Sequence, residues 1–159
     1  MKKIVIVSIL GLFGVLSSCG GDKTKEPSES TEATTKESSE NPSYYPNRGE
    51  GKFDDVKVDE KLNVPFADAG KKIFDVKCSA CHKLTGEKLV GPGWADVTKR
   101  RHPNWIMNFI TNPDAMIDKD PAVQALLEIC LVRMPNQSLT DKDARHILEF
   151  MRKNDGVKP

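Results

Sequence analysis

Apolar side chains recur at the spacing of one helix face in four segments of residues 62–159. These segments cover residues 68–77, 103–110, 120–130 and 140–155. Pro103 can open the second helix, and Thr140 with Asp143 resembles a capping box at the start of the fourth. Residues 83–101 hold Gly86, Gly91, Pro92 and Gly93 and therefore predict a loop. No segment alternates convincingly as a strand would, so the pattern predicts a small all-α domain with four helices and long loops.

The most apolar run of the chain lies at its N-terminus. Lys2 and Lys3 precede about 13 mostly apolar residues, which is the order of a charged and an apolar region in an export signal. The run ends in Leu16-Ser17-Ser18-Cys19, which resembles the bacterial lipobox. The resemblance implies that residues 1–18 are a lipoprotein signal peptide. It also implies that Cys19 is lipidated and becomes the new N-terminus.

Residues 19–61 are predicted to be the lipidated cysteine and a flexible linker. Within them, residues 22–43 contain nine Ser or Thr and six acidic residues against three lysines. Such a segment buries too little apolar surface to offset the entropy cost of ordering it, so we expect a disordered tether. Residues 44–61 are less polar and could lie against the folded domain. The folded domain is predicted to cover residues 62–159.

Composition narrows the function classes. The chain has 159 residues, 38% hydrophobic and 30% charged, with a formal net charge of +1. That length corresponds to about one domain, and the charge gives no attraction to nucleic acid. The single apolar run is too short to indicate a polytopic membrane protein. What remains is one small exported domain on a tether.

Cys78-Ser79-Ala80-Cys81-His82 is the C-x-x-C-H signature of covalent haem attachment. Two thiols three positions apart can each add across one vinyl group of the porphyrin, and the following His can then give its imidazole to iron. The motif therefore predicts one covalently bound haem c on Cys78 and Cys81, with His82 as an axial ligand. Export supports this prediction, because the thiols must meet haem outside the cytosol.

Other uses of these thiols are weaker. A thioredoxin-like dithiol needs a neighbouring βαβ pattern, and none is predicted. A zinc site would need further ligands, for which His102, His146 and Cys130 are the candidates. A disulfide between Cys78 and Cys81 would close a tight and strained loop.

Residues 66–155 resemble the class I cytochrome c family, in its bacterial lipoprotein form. Besides the attachment motif, the resemblance rests on Gly70, Phe74, Gly91-Pro92, Met134-Pro135, Ile147 and Phe150. It implies that the first and last helices cross closely at Gly70, and that the Pro92 carbonyl accepts the second N–H of the proximal imidazole. Holding that proton fixes the ring and tunes the iron. Asp96 departs from the family, whose loop often has glycine there.

The sixth iron ligand has Met134 as its first candidate, His102 as the main alternative and Met116 as a weaker candidate. Met107 and Met151 fall within helical patterns, where core packing is the simpler interpretation, and Met116 is predicted to lie in a loop. Met134 precedes Pro135 and a polar run, so its segment is free to place a thioether over the haem, and the family carries Met-Pro at this place. Met134 is favoured.

Both axial positions would then be filled, which favours an electron carrier over an enzyme. We expect a lipid-anchored cytochrome c in the cell envelope, facing the periplasm and carrying single electrons between redox complexes. The alternatives are a haem protein with a labile sixth ligand, acting as a small-ligand sensor or peroxidase-like subunit, and a fixed subunit of an oxidase or reductase. Cys130 is predicted to be buried, with pairing between chains as its alternative.

The basic residues predict the kind of partner. Residues 71–101 hold eight bases against three acids, whereas residues 102–159 hold seven bases against eight acids. Positive charge is thus concentrated on the half that carries the attachment motif. In the resembling family an exposed haem edge lies beside that motif. We therefore expect redox partners with an acidic docking patch.

Overall fold

The computed structural model describes residues 44–159. The predicted signal peptide, Cys19 and the polar segment 22–43 lie outside the described residues. Within 44–159 the regular structure is helical, and the one strand-like feature is an isolated bridge between His82 and Lys88. The all-α prediction is confirmed. In the same range, no helix is long and apolar enough to cross a bilayer.

Six helices follow one another along the described chain. They are α1 Val64–Lys77, α2 Val97–Arg100, α3 Pro103–Thr111, α4 Pro113–Lys119, α5 Pro121–Cys130 and α6 Asp141–Asn154. The sequence predicted four of these and missed α2 and α4. Helix α4 exists because Pro113 ends α3 and also serves as a first-turn residue of the next helix. Helix α1 begins earlier than predicted, because the Asn63 side chain accepts a hydrogen bond from the Phe66 N–H and caps it.

Helices α1 and α6 form the main packing contact of the domain. They approach so closely at Gly70 that a methyl group there would lie 2.0 Å from the His146 carbonyl oxygen. Beside this crossing the Phe74 and Phe150 rings pack with centroids 5.4 Å apart. The Gly–aromatic crossing implied by the family resemblance is therefore present. It fixes the C-terminal end of α1, where Cys78 follows.

The other helices are connected in series. Helix α3 packs on α6, α4 packs on α3, and α5 packs on α4. Helix α5 has little other helical support, and Val123 is its only buried residue. The remaining apolar face of α5 is turned toward a cavity between α5, α3 and the end of α1.

Residues 44–61, which the sequence analysis assigned to the flexible linker, lie against the helices, and we call them the strap. Phe53 and Val56 pack on the core, and the Arg152 guanidinium donates to the carbonyls of Asp59 and Glu60. That guanidinium is also paired with the buried Glu149 carboxylate at 2.8 Å. The folded unit therefore extends at least to residue 44. The sequence analysis noted the lower polarity of 44–61, but the pattern alone did not decide whether they pack.

Candidate haem site

The end of α1 places the attachment motif on a single tight turn. The Cys78 N–H donates to the Phe74 carbonyl, and the N–H groups of Cys81 and His82 both lie 3.0 Å from the Cys78 carbonyl. Cys78 is buried and Cys81 is half-buried, and neither forms a disulfide within residues 44–159. Burial raises the pKa of the Cys78 thiol to about 11, so the thiol is neutral at neutral pH. Because Cys78, Cys81 and His82 lie on this one turn, both thiols and the imidazole border the same cavity.

His82 is held by the loop that follows it. Its Nδ1 lies 2.8 Å from the Pro92 carbonyl oxygen, which can only accept, so Nδ1 carries the proton and Nε2 keeps its lone pair. Burial lowers the pKa of His82, which favours the neutral ring. The Trp94 ring lies 5.6 Å from the imidazole, centroid to centroid. These contacts present Nε2 as a ligand, as an axial histidine requires.

The loop 83–94 has the glycines that this close approach needs. The Gly91 N–H donates to the Cys81 carbonyl at 2.9 Å, and a methyl group on Gly91 would lie 2.5 Å from His82 Cε1. A methyl group on Gly93 would lie 2.1 Å from the Thr85 carbonyl oxygen. Glycine is therefore required on both sides of Pro92 for that carbonyl to reach the imidazole.

An open, mainly apolar cavity lies between this turn and α5. The attachment turn lines one part of it, and the apolar faces of α3 and α5 and the segment after α5 line another part. This second part includes Phe109, Ile110, Leu126, Leu127 and Met134.

These residues fit a covalently attached haem. The thiols, the imidazole and the Met134 thioether all line one cavity, and most of its other lining residues are apolar. Leu126 and Leu127 are only half-buried although they lie on the apolar face of their helix. An apolar planar group in the cavity would cover them, and burial of apolar surface is favourable. Haem supplies a redox-active iron to such a site.

The cytochrome c family model matches residues 67–155, which is more than half of the chain. The chain belongs to the cytochrome c family. A cytochrome c from Rhodothermus marinus is 36% identical, with a TM-score of 0.64, and the match covers 66% of this chain and 90% of that one. An engineered form of the Rhodothermus marinus protein is 35% identical, with a TM-score of 0.63 and the same coverage. None of the curated proteins matches the chain significantly.

Membership settles the cofactor class. The protein is a cytochrome c with one covalently bound haem c, and its family consists of haem proteins that generally carry electrons. Within residues 44–159, no three His, Cys, Asp or Glu side chains are grouped so as to hold a metal ion by themselves.

The methionines of this cytochrome c domain occupy different places. Met134 lines the cavity, whereas Met107 and Met151 are buried in the helix core and do not line it. Met116 is fully buried within α4, so its predicted place in a loop is wrong. His102 is exposed, and its Nδ1 accepts a hydrogen bond from the Asn104 N–H at the start of α3. His102 is therefore used as a helix cap and does not line the cavity.

The structure also shows where two further residues singled out by the sequence lie. Cys130 is half-buried at the end of α5, lines the cavity and is not in a disulfide within the described chain. Asp96 has a left-handed backbone with φ +58°, a conformation that glycine adopts easily, which explains the family's preference there. Asp155 compensates for that strain, because its carboxylate accepts the Asp96 N–H at 2.7 Å and the Thr98 N–H at 2.8 Å.

Sequence reasoning missed the polar side chains that hold the strap. Asn104 and Asn108 are buried on α3 and point their carboxamides at the strap backbone. Their four-residue spacing within an otherwise apolar helix places them on one face and was the available signal. Buried amides need hydrogen-bond partners, so this pair indicated a neighbouring backbone segment.

Proposed function

We propose that this cytochrome c carries single electrons between redox complexes of the cell envelope, to which an N-terminal lipid anchors it. Cys78 and Cys81 hold the haem through thioethers, and His82 and Met134 are its axial ligands. One observation carries the proposal: both thiols, the imidazole and the Met134 segment border the same apolar cavity.

The chain's own groups suit electron transfer better than substrate chemistry. Pro92 fixes the tautomer and plane of His82. Met134 lines the same cavity and would supply the second ligand of the haem iron. A filled sixth position leaves no site at which a substrate could bind the iron. Met with His ligation also raises the reduction potential of haem, and a rigid ligand pair allows a change of oxidation state with little rearrangement.

Replacing the thioether tests the proposal. In the haem-loaded protein, Met134→Leu keeps side-chain volume but removes the sulfur. We expect the haem to stay attached, the reduction potential to fall, and carbon monoxide to bind the ferrous iron. Met107→Leu is the matched control, since Met107 is buried in α3 away from the cavity. If the parent already binds carbon monoxide as readily as Met134→Leu, the sixth position is open and a ligand sensor or peroxidase-like role replaces the carrier.

The membrane anchor is supported by the N-terminal sequence alone. Lys2 and Lys3, the apolar run and Cys19 have the order of a lipoprotein signal. Cys19→Ser should leave the haem spectrum unchanged and move the protein from the membrane fraction to the soluble envelope fraction. Cys130→Ser is the control, because it removes a thiol that has no place in the signal. If Cys19→Ser stays with the membrane, lipid on Cys19 is not the anchor.

The mouth of the cavity has the composition of a docking face. Val90 and Val132 line the cavity and are exposed, as are the neighbouring Leu89, Ile129 and Leu131. An exposed apolar patch of this kind is typical of an interaction site. Lysines flank it, so we propose a redox partner with acidic groups around an apolar centre.

Local ion pairs reduce the effective charge of residues 71–101. Lys71, Lys83 and Lys99 pair with Asp75, Glu87 and Asp96 respectively. Lys77 and Lys88 instead donate to backbone carbonyls, of Gln137 and Ile129, and keep their full charge beside the mouth. These two lysines are therefore the better targets for testing electrostatic steering.

Small oxidants of opposite charge test the steering. Oxidation of the ferrous protein by anionic ferricyanide should slow as salt rises past about 0.1 M, where the Debye length falls to about 10 Å. Oxidation by a cationic cobalt complex should not slow. Lys88→Glu should reduce the ferricyanide rate and Lys158→Glu, near the C-terminus, should not. If Lys88→Glu and Lys158→Glu react with ferricyanide at equal rates, the lysines beside the mouth do not steer the partner.

A further inference from the structure

The strap is fitted to the outer face of α3 by two buried carboxamides. The Asn108 Oδ1 accepts from the Phe53 N–H at 2.9 Å, and its Nδ2 donates to the carbonyls of Arg48 and Phe53 at 2.9 and 2.8 Å. Asn104 holds the backbone in the same way, accepting from the Val56 N–H and donating to the Asp54 carbonyl, both at 2.8 Å. Both carboxamides thus bond to strap backbone through their oxygen and their nitrogen. The strap precedes residues 67–155, which match the family model.

Two glycines let the strap lie this close. A methyl group on Gly51 would lie 2.3 Å from Asn108 Oδ1, and one on Gly49 would lie 2.6 Å from Met116 Sδ. Gly49 and Gly51 have φ values of +70° and +155°, which side chains disfavour. Between them the Glu50 N–H donates to the same Met116 sulfur at 2.9 Å. The strap therefore contacts α4 as well as α3.

The strap also reaches α5. The Tyr44 hydroxyl and the Trp105 indole N–H both donate to the carboxylate of Asp120, which is 2% exposed. The other oxygen of Asp120 accepts from the N–H groups of Ala122 and Val123 and so caps α5. Tyr44 and Trp105 thus fix the carboxylate on which the start of α5 depends.

The strap thus contacts α3, α4 and the start of α5 directly, in addition to the packing of each helix on its neighbour. Without the strap, α5 is held by its packing on α4 and by the hydrogen bond from Trp105 of α3 to Asp120, and α4 in turn packs on α3. With it, α3, α4 and the start of α5 are all fastened to one backbone segment. The inner faces of the same three helices border the cavity, and Met134 follows the last residue of α5 by four positions.

We propose that the strap is a positioning element for the Met134 side of the haem. By fastening α4 and α5 to α3 from outside, it keeps the Met134 segment over the iron and keeps the sixth position closed. This inference rests on the proposed function, because it takes Met134 as the axial ligand. It goes beyond that function in assigning a role to residues 44–56.

The test uses the haem-loaded protein with strap variants and two matched controls. Gly51→Ala pushes the strap away from Asn108, and Tyr44→Phe removes only the hydroxyl that reaches Asp120. Tyr45→Phe and Gly86→Ala are the controls, since Tyr45 is 63% exposed and a methyl group on Gly86 meets nothing within 4 Å. Two readouts are compared: the rate at which carbon monoxide binds the ferrous haem, and amide hydrogen exchange resolved by helix.

Gly51→Ala should bind carbon monoxide about tenfold faster than the parent, because the loss of a buried hydrogen bond weakens the hold on the Met134 segment by a comparable factor. Tyr44→Phe should shift the rate in the same direction. Amides of α5 should exchange faster in both variants, whereas those of α1 and α6 keep the parental rates. If Gly51→Ala does not fold, Tyr44→Phe carries the test alone.

The contrary results are separable. If the parent has Met ligation but the strap variants bind carbon monoxide at the parental rate, the strap does not position Met134. The proposed function would still stand. Equal acceleration of exchange in all helices would mean that the strap only stabilises the fold, which also overturns the role. A parent without Met ligation would overturn both proposals together.

Discussion

Gly70→Ala is expected to separate the two helices on which the domain is built. The added methyl group would lie 2.0 Å from the His146 carbonyl oxygen and 2.8 Å from Phe150 Cβ. Ordinary contact begins near 3.4 Å, so the helices must move apart by about 1.4 Å at this point. The obstacle is backbone, which cannot rotate away as a side chain can.

The free energy of unfolding should fall by about 2 kcal/mol. Overpacking a close contact costs about 3 kcal/mol at the upper end of the usual range. Alanine in place of glycine within a helix returns up to about 1 kcal/mol, so the steric cost dominates. A loss of this size lowers the Tm of a domain this large by about 8 °C.

Thermal unfolding of the haem-loaded protein, followed by far-ultraviolet circular dichroism, measures the change. Gly86→Ala is the control, since a methyl group there meets open space. The control should unfold at the parental Tm. If Gly70→Ala is as stable as Gly86→Ala, the close crossing of α1 and α6 does not exist as described.

Three further changes test other parts of the account. Gly91→Ala should lower the reduction potential or the yield of the haem-loaded protein, because the methyl group would lie 2.5 Å from His82 Cε1 and displace the ring; an unaltered potential and yield would contradict this. Thr140→Ala should destabilise the protein to urea by about 1 kcal/mol through loss of the α6 cap, and an unchanged urea midpoint would refute it. The hydrogen bond from the Thr140 hydroxyl holds the pKa of the Asp143 carboxyl in the folded protein below its unfolded value of 3.8. The ionised Asp143 therefore stabilises the fold at pH values above 3.8, and this stabilisation is lost as the pH falls through the lower pKa of the folded state. Asp143→Asn should therefore show a smaller loss of stability than the parent on acidification, and parallel acid profiles would count against it.

The local signals in the sequence were strong where chemistry or capping dictates residue type. The attachment motif predicted the haem, and Thr140 with Asp143 predicted the start of α6, where the structure has both bonds of a capping box. Pro135 and a polar run follow Met134 before the last helix, which predicts a loop that can reach the haem, and the structure places Met134 in the lining of the cavity.

What the sequence left open depends on distant contacts. Residues 44–61 show no helical or strand periodicity. They pack on the helices because Asn104 and Asn108 form hydrogen bonds with their backbone. Met116 looked like a loop residue because the stretch after Asn112-Pro113 is too short to show a helical repeat. Such elements are stabilised by tertiary contacts, which local pattern does not record.

We propose that His82 and Met134 bind the haem iron from its two sides. The most direct test is the absorption spectrum of the ferric protein at the red end of the visible range, where sulfur ligation of ferric iron gives a weak band. We predict that the parent shows this band and that Met134→Leu loses it while keeping the haem covalently attached. A parent without the band, or a variant that retains it, would contradict the claim.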